Sequence, residues 1–271
     1  MARVLNMLSV LRGGCLLAGL LTLLPVSLQA APAQTLLTSV NAQRLQSYQM
    51  QMQFHLLSLE GAEPRVASQM QETVALFAQQ TEQLDELSAG LALDAEVLAL
   101  QVQARDFQQK VLANEALTQG WVSVNTTNAM SASGATLNQA YAHTLNKLSA
   151  QGSASDPLVE QAILMQRIAA EYVRGSTSVD GNSVIYDDAL DLELPVDKLA
   201  VQFSQQLTLL EQQHAGTPAL SQRLQKVATM WNYIEKSLLN YREKTVPSLV
   251  VRYNDKIVAS LVTPTVIAAQ P

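Results

Sequence analysis

The 271-residue sequence predicts an all-α protein built from two related helical modules. Apolar residues recur at helical spacing along most of the chain, and only residues 183–186 have the composition of a strand. Glycine is scarce, whereas alanine, leucine and glutamine are abundant. Short connections favour antiparallel neighbouring helices. We therefore expect either tandem antiparallel four-helix bundles or one elongated bundle that contains both modules.

A repeated segment indicates that the two modules arose by internal duplication. Residues 74–80 (VALFAQQ) resemble residues 200–206 (AVQFSQQ). The two copies also share an apolar residue, a preceding Gln-Arg pair and a following aromatic residue at equal or similar spacing. These matches are Leu84 with Leu210, 43–44 with 166–167, and Phe107 with Trp231.

Residues 1–30 have the layout of a secretory signal peptide. Arg3 and Arg12 form a basic start, residues 15–24 are an apolar run, and Ala30 is a small residue at the expected cleavage point. The run is shorter than the roughly 20 apolar residues that span a bilayer, and an uncleaved anchor is the alternative. We expect export to a bacterial periplasm, with the first module over 31–151 and the second over 152–271.

The composition of the mature chain excludes several classes of site. Cys15, the only cysteine, lies in the signal peptide, which excludes thiol nucleophiles, disulfides and thiolate metal sites. Removal of Arg3 and Arg12 leaves 15 basic and 23 acidic residues, a net charge of −8. There is no basic stripe, so nucleic acid is not expected as a partner. No second apolar span follows the first, and we expect a soluble mature protein.

Helical periodicity and turn residues place four helices in each module. The boundary is residues 151–157, where Asp156 suits a helix cap and Pro157 suits the first helical position. In the first module we expect helices over 36–60, 64–89, 94–117 and 131–150, with a break over 120–128. In the second we expect helices over 157–174, 196–214, 220–241 and 247–261, with an irregular segment over 175–195.

The mature chain contains no enzyme signature, and we expect no catalytic residue, cofactor or metal. The three histidines, His55, His143 and His214, fall in different predicted helices without a ligand pattern. The acidic segment 187–193 lacks the spacing of a calcium loop, which favours a solvated loop. Met50 and Met52 do not share a helical face, which favours packing over copper binding.

Arg44 is the centre of the candidate binding site. Residues three and four apart are neighbours on a helix, so Arg44 shares a face with Ser47 and Tyr48. A guanidinium group beside two hydroxyl donors suits a small planar anion, such as nitrate or a carboxylate. The alternative interpretation is a solvated arginine on an amphipathic helix.

The motif Gln43-Arg44-Leu45-Gln46-Ser47-Tyr48 resembles the first helix of the type IV pili methyl-accepting chemotaxis transducer N-terminal (PilJ-type) domain and of periplasmic nitrate/nitrite sensor kinases. The resemblance implies a sensor in which two copies of this helix meet across a dimer and hold one anion. Gln49 stands where those sensors carry a second arginine. Because the chain has no signalling part, we expect a partner such as a membrane sensor or chemoreceptor; a homodimer is left open.

Arg167 is the corresponding residue of the second module, where the serine and tyrosine are replaced. Glu171 lies four residues further along, so a local ion pair is the default expectation. A tandem repeat can also mimic a homodimer. Arg167 is therefore a candidate to face Arg44 across a pseudo-two-fold axis and to bind the same anion.

Two functions follow from these residues. The first is a stand-alone periplasmic sensor or binding module for a small anion such as nitrate or nitrite. The second is a non-catalytic structural or interaction scaffold that has lost ligand binding. The surroundings of Arg44 distinguish them. A partly buried Arg44 without a carboxylate partner favours a ligand, because an unpaired buried charge is costly, whereas an exposed Arg44 favours a scaffold.

Overall fold

A computed structural model describes residues 26–60, 63–119, 121–179, 195–241 and 245–263. These residues are mostly helical and include no strand, which confirms the predicted all-α class. The helices in the described ranges are α1 (Val26–Leu59), α2 (Pro64–Ser88), α3 (Asp94–Leu112), α4 (Ala116–Gln119), α5 (Val124–Ala150), α6 (Pro157–Val179), α7 (Val196–Gln213), α8 (Pro218–Leu239) and α9 (Pro247–Val262).

The long helices form two groups of four according to which of them touch. In the first group α1 contacts α2 and α5, and α3 contacts the same two helices. In the second group α6 contacts α7 and α9, and α8 contacts the same two helices. The contact between α1 and α6 is extensive and links the groups. Each group therefore closes a ring of four helices, and α1 belongs to both the first ring and the junction.

A pair of aromatic rings lies in the core of each group. In the first group Phe77 on α2 meets Phe107 on α3 edge to face, with ring centroids 6.2 Å apart. In the second group Phe203 on α7 meets Trp231 on α8, with centroids 4.2 Å apart. All four side chains are buried. The aromatic residues that the sequence repeat aligns therefore join the second and third long helices of each group.

The predicted helix over 94–117 is interrupted, because Asn114 bonds in two directions. Its amide Nδ2 donates to the carbonyl oxygen of Phe54 at 3.0 Å, and its Oδ1 accepts from the backbone N–H of Ala116 at 2.9 Å. The side-chain oxygen thus takes the backbone N–H of Ala116, which in a continuous helix would donate to the carbonyl oxygen four residues earlier. As a result α3 ends at Leu112, and the one-turn α4 follows.

The predicted break over 120–128 is wrong for residues 124–128, which form the first turn of α5. Ser123 caps this helix, with its Oγ accepting from the backbone N–H of Thr126 at 3.2 Å. The Glu115 carboxylate accepts from the Ser123 backbone N–H at 2.9 Å and from the Thr126 hydroxyl at 2.8 Å. Capping of this kind offsets the low helix propensity of threonine and asparagine.

Residues 151–157 connect the groups, and the predicted cap of the following helix is confirmed. Gly152 follows α5 with φ +86°, a left-handed conformation that glycine adopts without strain. The Asp156 carboxylate accepts from the backbone N–H of Leu158 at 2.8 Å, and Pro157 is the first residue of α6. Both residues therefore have the roles at a helix start that the sequence predicts.

Two further helix ends differ from prediction. α1 begins at Val26, ten residues before the predicted start, and α6 continues to Val179 instead of ending at 174. The remaining ends agree within two residues. The strand-like segment 183–186, the acidic segment 187–193 and most of the predicted signal peptide lie outside the described residues. None of the helices that the structure describes has both the length and the apolar character to cross a membrane.

Candidate functional site

Arg44 lies at the junction of the two groups and is paired with a carboxylate. Its Nη1 donates to the carboxylate of Glu160 on α6, at 3.0 Å to Oε1 and 3.2 Å to Oε2. The same nitrogen donates to Asn41 Oδ1 at 3.0 Å, one turn back on α1. The Arg44 side chain is 20% exposed and that of Glu160 is 40% exposed. The positive charge is therefore balanced across the α1–α6 contact, by a partner that retains access to solvent. The condition that favours a ligand, a partly buried Arg44 without a carboxylate partner, is not met.

The guanidinium group of Arg44 has donors that this pairing does not use. Its hydrogen bonds to described residues all run through Nη1, which leaves Nε and Nη2 without one. Asn41 is itself fixed, because its Nδ2 donates to the Ser155 hydroxyl oxygen at 3.0 Å. Asn41 and Glu160 therefore orient one edge of the guanidinium group, and the other edge remains available to an acceptor.

Ser47 and Tyr48 lie beside Arg44 as predicted, but Ser47 does not point its proton toward an anion. Its hydroxyl donates to the backbone carbonyl of Arg44 at 2.8 Å. Both Ser47 and Tyr48 are buried. Because the hydroxyl proton is used in this bond, Ser47 is better placed to accept a further hydrogen bond than to donate one.

Tyr141 on α5 is a member of this cluster that sequence reasoning missed. Its side chain is 1% exposed, and its hydroxyl group has no hydrogen-bond partner among the described residues. Burial raises the pKa of the Tyr141 phenol, with smaller opposing effects from the Arg44 charge and the adjacent Ser47 hydroxyl. Tyr141 therefore places a buried, neutral hydroxyl group beside Ser47 and close to Arg44. Sequence spacing does not reveal it, because α5 reaches this place only through tertiary packing.

Glu160, and not Arg167, is the α6 residue that contacts Arg44. Arg167 lies seven residues further along α6, a rise of about 10 Å. Near it, the Glu171 carboxylate accepts from Arg174 Nη2 at 2.7 Å and from Arg174 Nε at 2.8 Å. Glu171 is buried, with 6% of its side chain exposed. The polar residues of α6 thus include an ion pair with a buried carboxylate, about three turns or more from Glu160.

His55 is buried on α1 near that ion pair. The pKa of its imidazole is lowered to about 3, mainly by burial and also by the Arg174 charge, with a smaller opposing effect of the Glu171 charge. The ring is therefore neutral at physiological pH. Met50 and Met52 are also buried, in agreement with the expectation that they pack. In the described part of the chain no cluster of three or more His, Cys, Asp or Glu side chains could hold a metal ion.

Comparison of the chain with protein-family models, with curated proteins and with solved structures finds no match.

Proposed function

We propose that this protein is a non-catalytic periplasmic sensor or binding module that binds a small anion, such as nitrate or nitrite, beside Arg44. In this proposal the anion replaces the carboxylate of Glu160, which is part-exposed and can turn toward solvent. The anion then accepts hydrogen bonds from the planar guanidinium group, which suits a planar oxyanion.

The observation that carries the proposal is the set of unused donors around Arg44. Nε and Nη2 of Arg44 have no acceptor among the described residues, and the buried Tyr141 hydroxyl has no partner. Of these donors the Tyr141 hydroxyl is buried, and because an unsatisfied buried donor is costly, an anion that accepts from it removes that cost. A one-charge anion would also replace the charge of the displaced carboxylate, so that the site remains neutral.

The place of Arg44 supports a signalling role. α1 contacts α2 and α5 of its own group and α6 of the other, and the Arg44–Glu160 pair joins α1 to α6. Exchange of the Glu160 carboxylate for a free anion breaks this ion pair between the groups. A partner protein, such as a membrane sensor or chemoreceptor, would respond if it bound the two arrangements with different affinities.

We further propose that the two groups are tandem antiparallel four-helix bundles of the PilJ type, produced by duplication. The matching aromatic pairs, Phe77 with Phe107 and Phe203 with Trp231, support duplication. Signal-peptide cleavage after Ala30 would place Pro32 in the first turn of α1, where proline needs no intrahelical donor. That position supports export and processing.

The alternative proposal is a structural or interaction scaffold that has lost ligand binding. The observation in its favour is the Arg44–Glu160 pair itself, because the positive charge already has a carboxylate partner at 3.0 Å. In this alternative Glu160 is a permanent part of the junction, and no anion displaces it.

Thermal unfolding with and without millimolar nitrate, nitrite or small carboxylates tests the proposal. An anion at about 100 times its dissociation constant should stabilise the protein by about 2.7 kcal/mol. Arg44→Ala should abolish the shift, whereas Arg105→Ala, which removes an exposed arginine paired with Glu82, should retain it. The absence of a shift with any anion would contradict the sensor proposal and favour the scaffold.

A further inference from the structure

A polar groove runs between α1, α2 and α9, away from the Arg44 cluster. One end, the amide end, encloses about 350 Å³ and is lined by four glutamines and two acids: Gln46, Gln49, Gln53, Gln69, Glu72 and Asp255. The other, the basic end, encloses about 520 Å³ and includes Glu60, Arg65, Arg252 and Lys256. Both ends share Leu56, Gln69, Val251 and Asp255, so they form one continuous groove.

The side-chain oxygens of two buried amides at the amide end lack hydrogen-bond partners among the described residues. Gln53 is 4% exposed and Gln46 is 9% exposed. The side-chain oxygen of each is buried and accepts no hydrogen bond within the described residues. Buried polar groups are normally satisfied, so these two amides indicate a missing partner. They lie seven residues apart on α1, on one helix face and separated by a rise of about 10 Å.

The two ends of the groove differ in charge. Glu72 and Asp255 line the amide end, where no lysine or arginine is among the described lining residues. At the basic end the three cationic residues Arg65, Arg252 and Lys256 outnumber the two acids, Glu60 and the shared Asp255. Arg65 and Glu72 are seven residues apart on α2, so a rise of about 10 Å separates positions of opposite charge. A ligand that spans the groove should therefore carry a cation at one end and an anion at the other.

We propose that this groove binds a short peptide of about three residues with free termini. An extended chain spans at most about 3.6 Å per residue, so three residues match the roughly 10 Å between Glu72 and Arg65. The amino terminus lies at Glu72 and the terminal carboxylate at Arg65 and Lys256. Gln53 pairs with the peptide backbone, because a primary amide offers both the donor and the acceptor that a peptide group requires.

The exposed pairings at the basic end do not prevent this arrangement. Arg65 Nε lies 3.7 Å from the Glu63 carboxylate, and the Arg65 side chain is 75% exposed. Exposed ion pairs of this kind are weak, so Arg65 can move to a ligand carboxylate. Lys256 lies with Nζ 5.6 Å from the centroid of the Tyr253 ring and remains solvent accessible. The peptide proposed for the groove is independent of the anion proposed at Arg44, so an experiment can refute one proposal without refuting the other.

Calorimetric titration with trialanine tests the groove, using alanine, N-acetylated trialanine and trialanine amide as comparison ligands. We expect saturable binding of trialanine, weakened at least tenfold by blocking either terminus. Alanine should also bind at least tenfold more weakly, because it cannot reach both charged ends. Binding of alanine or of either blocked peptide as tightly as trialanine would overturn the proposal, as would no binding of trialanine at 10 mM, a concentration of about 100 times a 0.1 mM dissociation constant.

Variants assign the binding to the groove. Gln53→Leu should weaken trialanine binding at least tenfold. Gln80→Leu is the matched control, because Gln80 has an unpaired buried oxygen on α2 but is not among the groove-lining residues. If Gln53→Leu does not fold, the exposed Glu72→Gln replaces it and should also weaken binding of the free peptide. Unchanged affinity in a folded Gln53→Leu or Glu72→Gln protein would refute the assignment.

Discussion

The two groups of four helices have similar cores but different polar residues on their junction helices. Each core contains one aromatic pair between its second and third long helices. At the junction, α1 carries Arg44 beside unused donors, whereas α6 carries the buried Glu171–Arg174 pair. Arg44 therefore retains hydrogen-bonding capacity at the junction, whereas the charges of Glu171 and Arg174 balance each other. The two groups therefore share their helix arrangement and aromatic pairs but differ in polar residues, and the candidate binding chemistry lies on α1.

The aromatic pairs provide the largest test of the similarity between the cores. Phe107→Ala and Trp231→Ala should each destabilise the protein by about 3–5 kcal/mol, because each removes a buried ring and leaves a cavity. Denaturant unfolding monitored by circular dichroism measures both. Similar losses of stability in the two variants would support the equivalence of the two cores. A loss below about 1 kcal/mol for either variant would show that the two cores are not equivalent.

The two kinds of ion pair provide the next test. Arg174→Met should destabilise the protein by about 3 kcal/mol, because it leaves the buried Glu171 carboxylate without this partner. Arg105→Met, which breaks an exposed pair with Glu82, should change stability by less than about 1 kcal/mol. Equal effects in urea unfolding would mean that the α6 ion pair is not a structural element of the junction.

His55 provides a smaller test that depends on pH. Its folded pKa of about 3 lies below the ordinary 6.5, so between these values the unfolded chain binds a proton that the folded protein does not. Stability therefore falls as pH falls through this window, by up to about 1.4 kcal/mol per pH unit. His55→Leu should remove this part of the slope in unfolding curves at pH 4, 5 and 6. His143→Leu is the control, because it removes an exposed histidine. A His55→Leu slope equal to that of the wild type would contradict the burial of a neutral ring.

Local patterns in the sequence predict most of the helices and their buried faces. The stripe Val74, Phe77, Thr81 and Leu84 is buried throughout, since residues at helical spacing share one face. The roles of Asp156 and Pro157 at the start of α6 are also predictable from sequence, because capping depends on neighbouring residues in the chain. Local patterns do not predict the start of α5, because it depends on Glu115, which lies eight residues before Ser123.

The candidate site depends on contacts that no local pattern reveals. Glu160 is 116 residues from Arg44 in the sequence, and Tyr141 reaches the cluster from α5. The Gln-Arg alignment also pairs Gln43 with Gln166, although the hydrogen bonds differ. Gln43 donates to Thr81 on α2, whereas on α6 it is Gln161 that donates to the helix facing it, at the carbonyl of Phe203. Helix register across a junction is set by tertiary packing, and sequence spacing alone does not determine it.

The central claim is that Arg44 binds an anion in competition with Glu160, and calorimetric titration of nitrate and nitrite into Glu160→Gln tests it most directly. Loss of the competing carboxylate should tighten anion binding at least tenfold relative to the wild type, a difference of about 1.4 kcal/mol. Glu82→Gln, which removes the carboxylate of an exposed pair, should leave the affinity unchanged. The double variant Arg44→Ala/Glu160→Gln should bind neither anion. Equal affinities of the wild type and Glu160→Gln, or no binding by either protein, would contradict the claim.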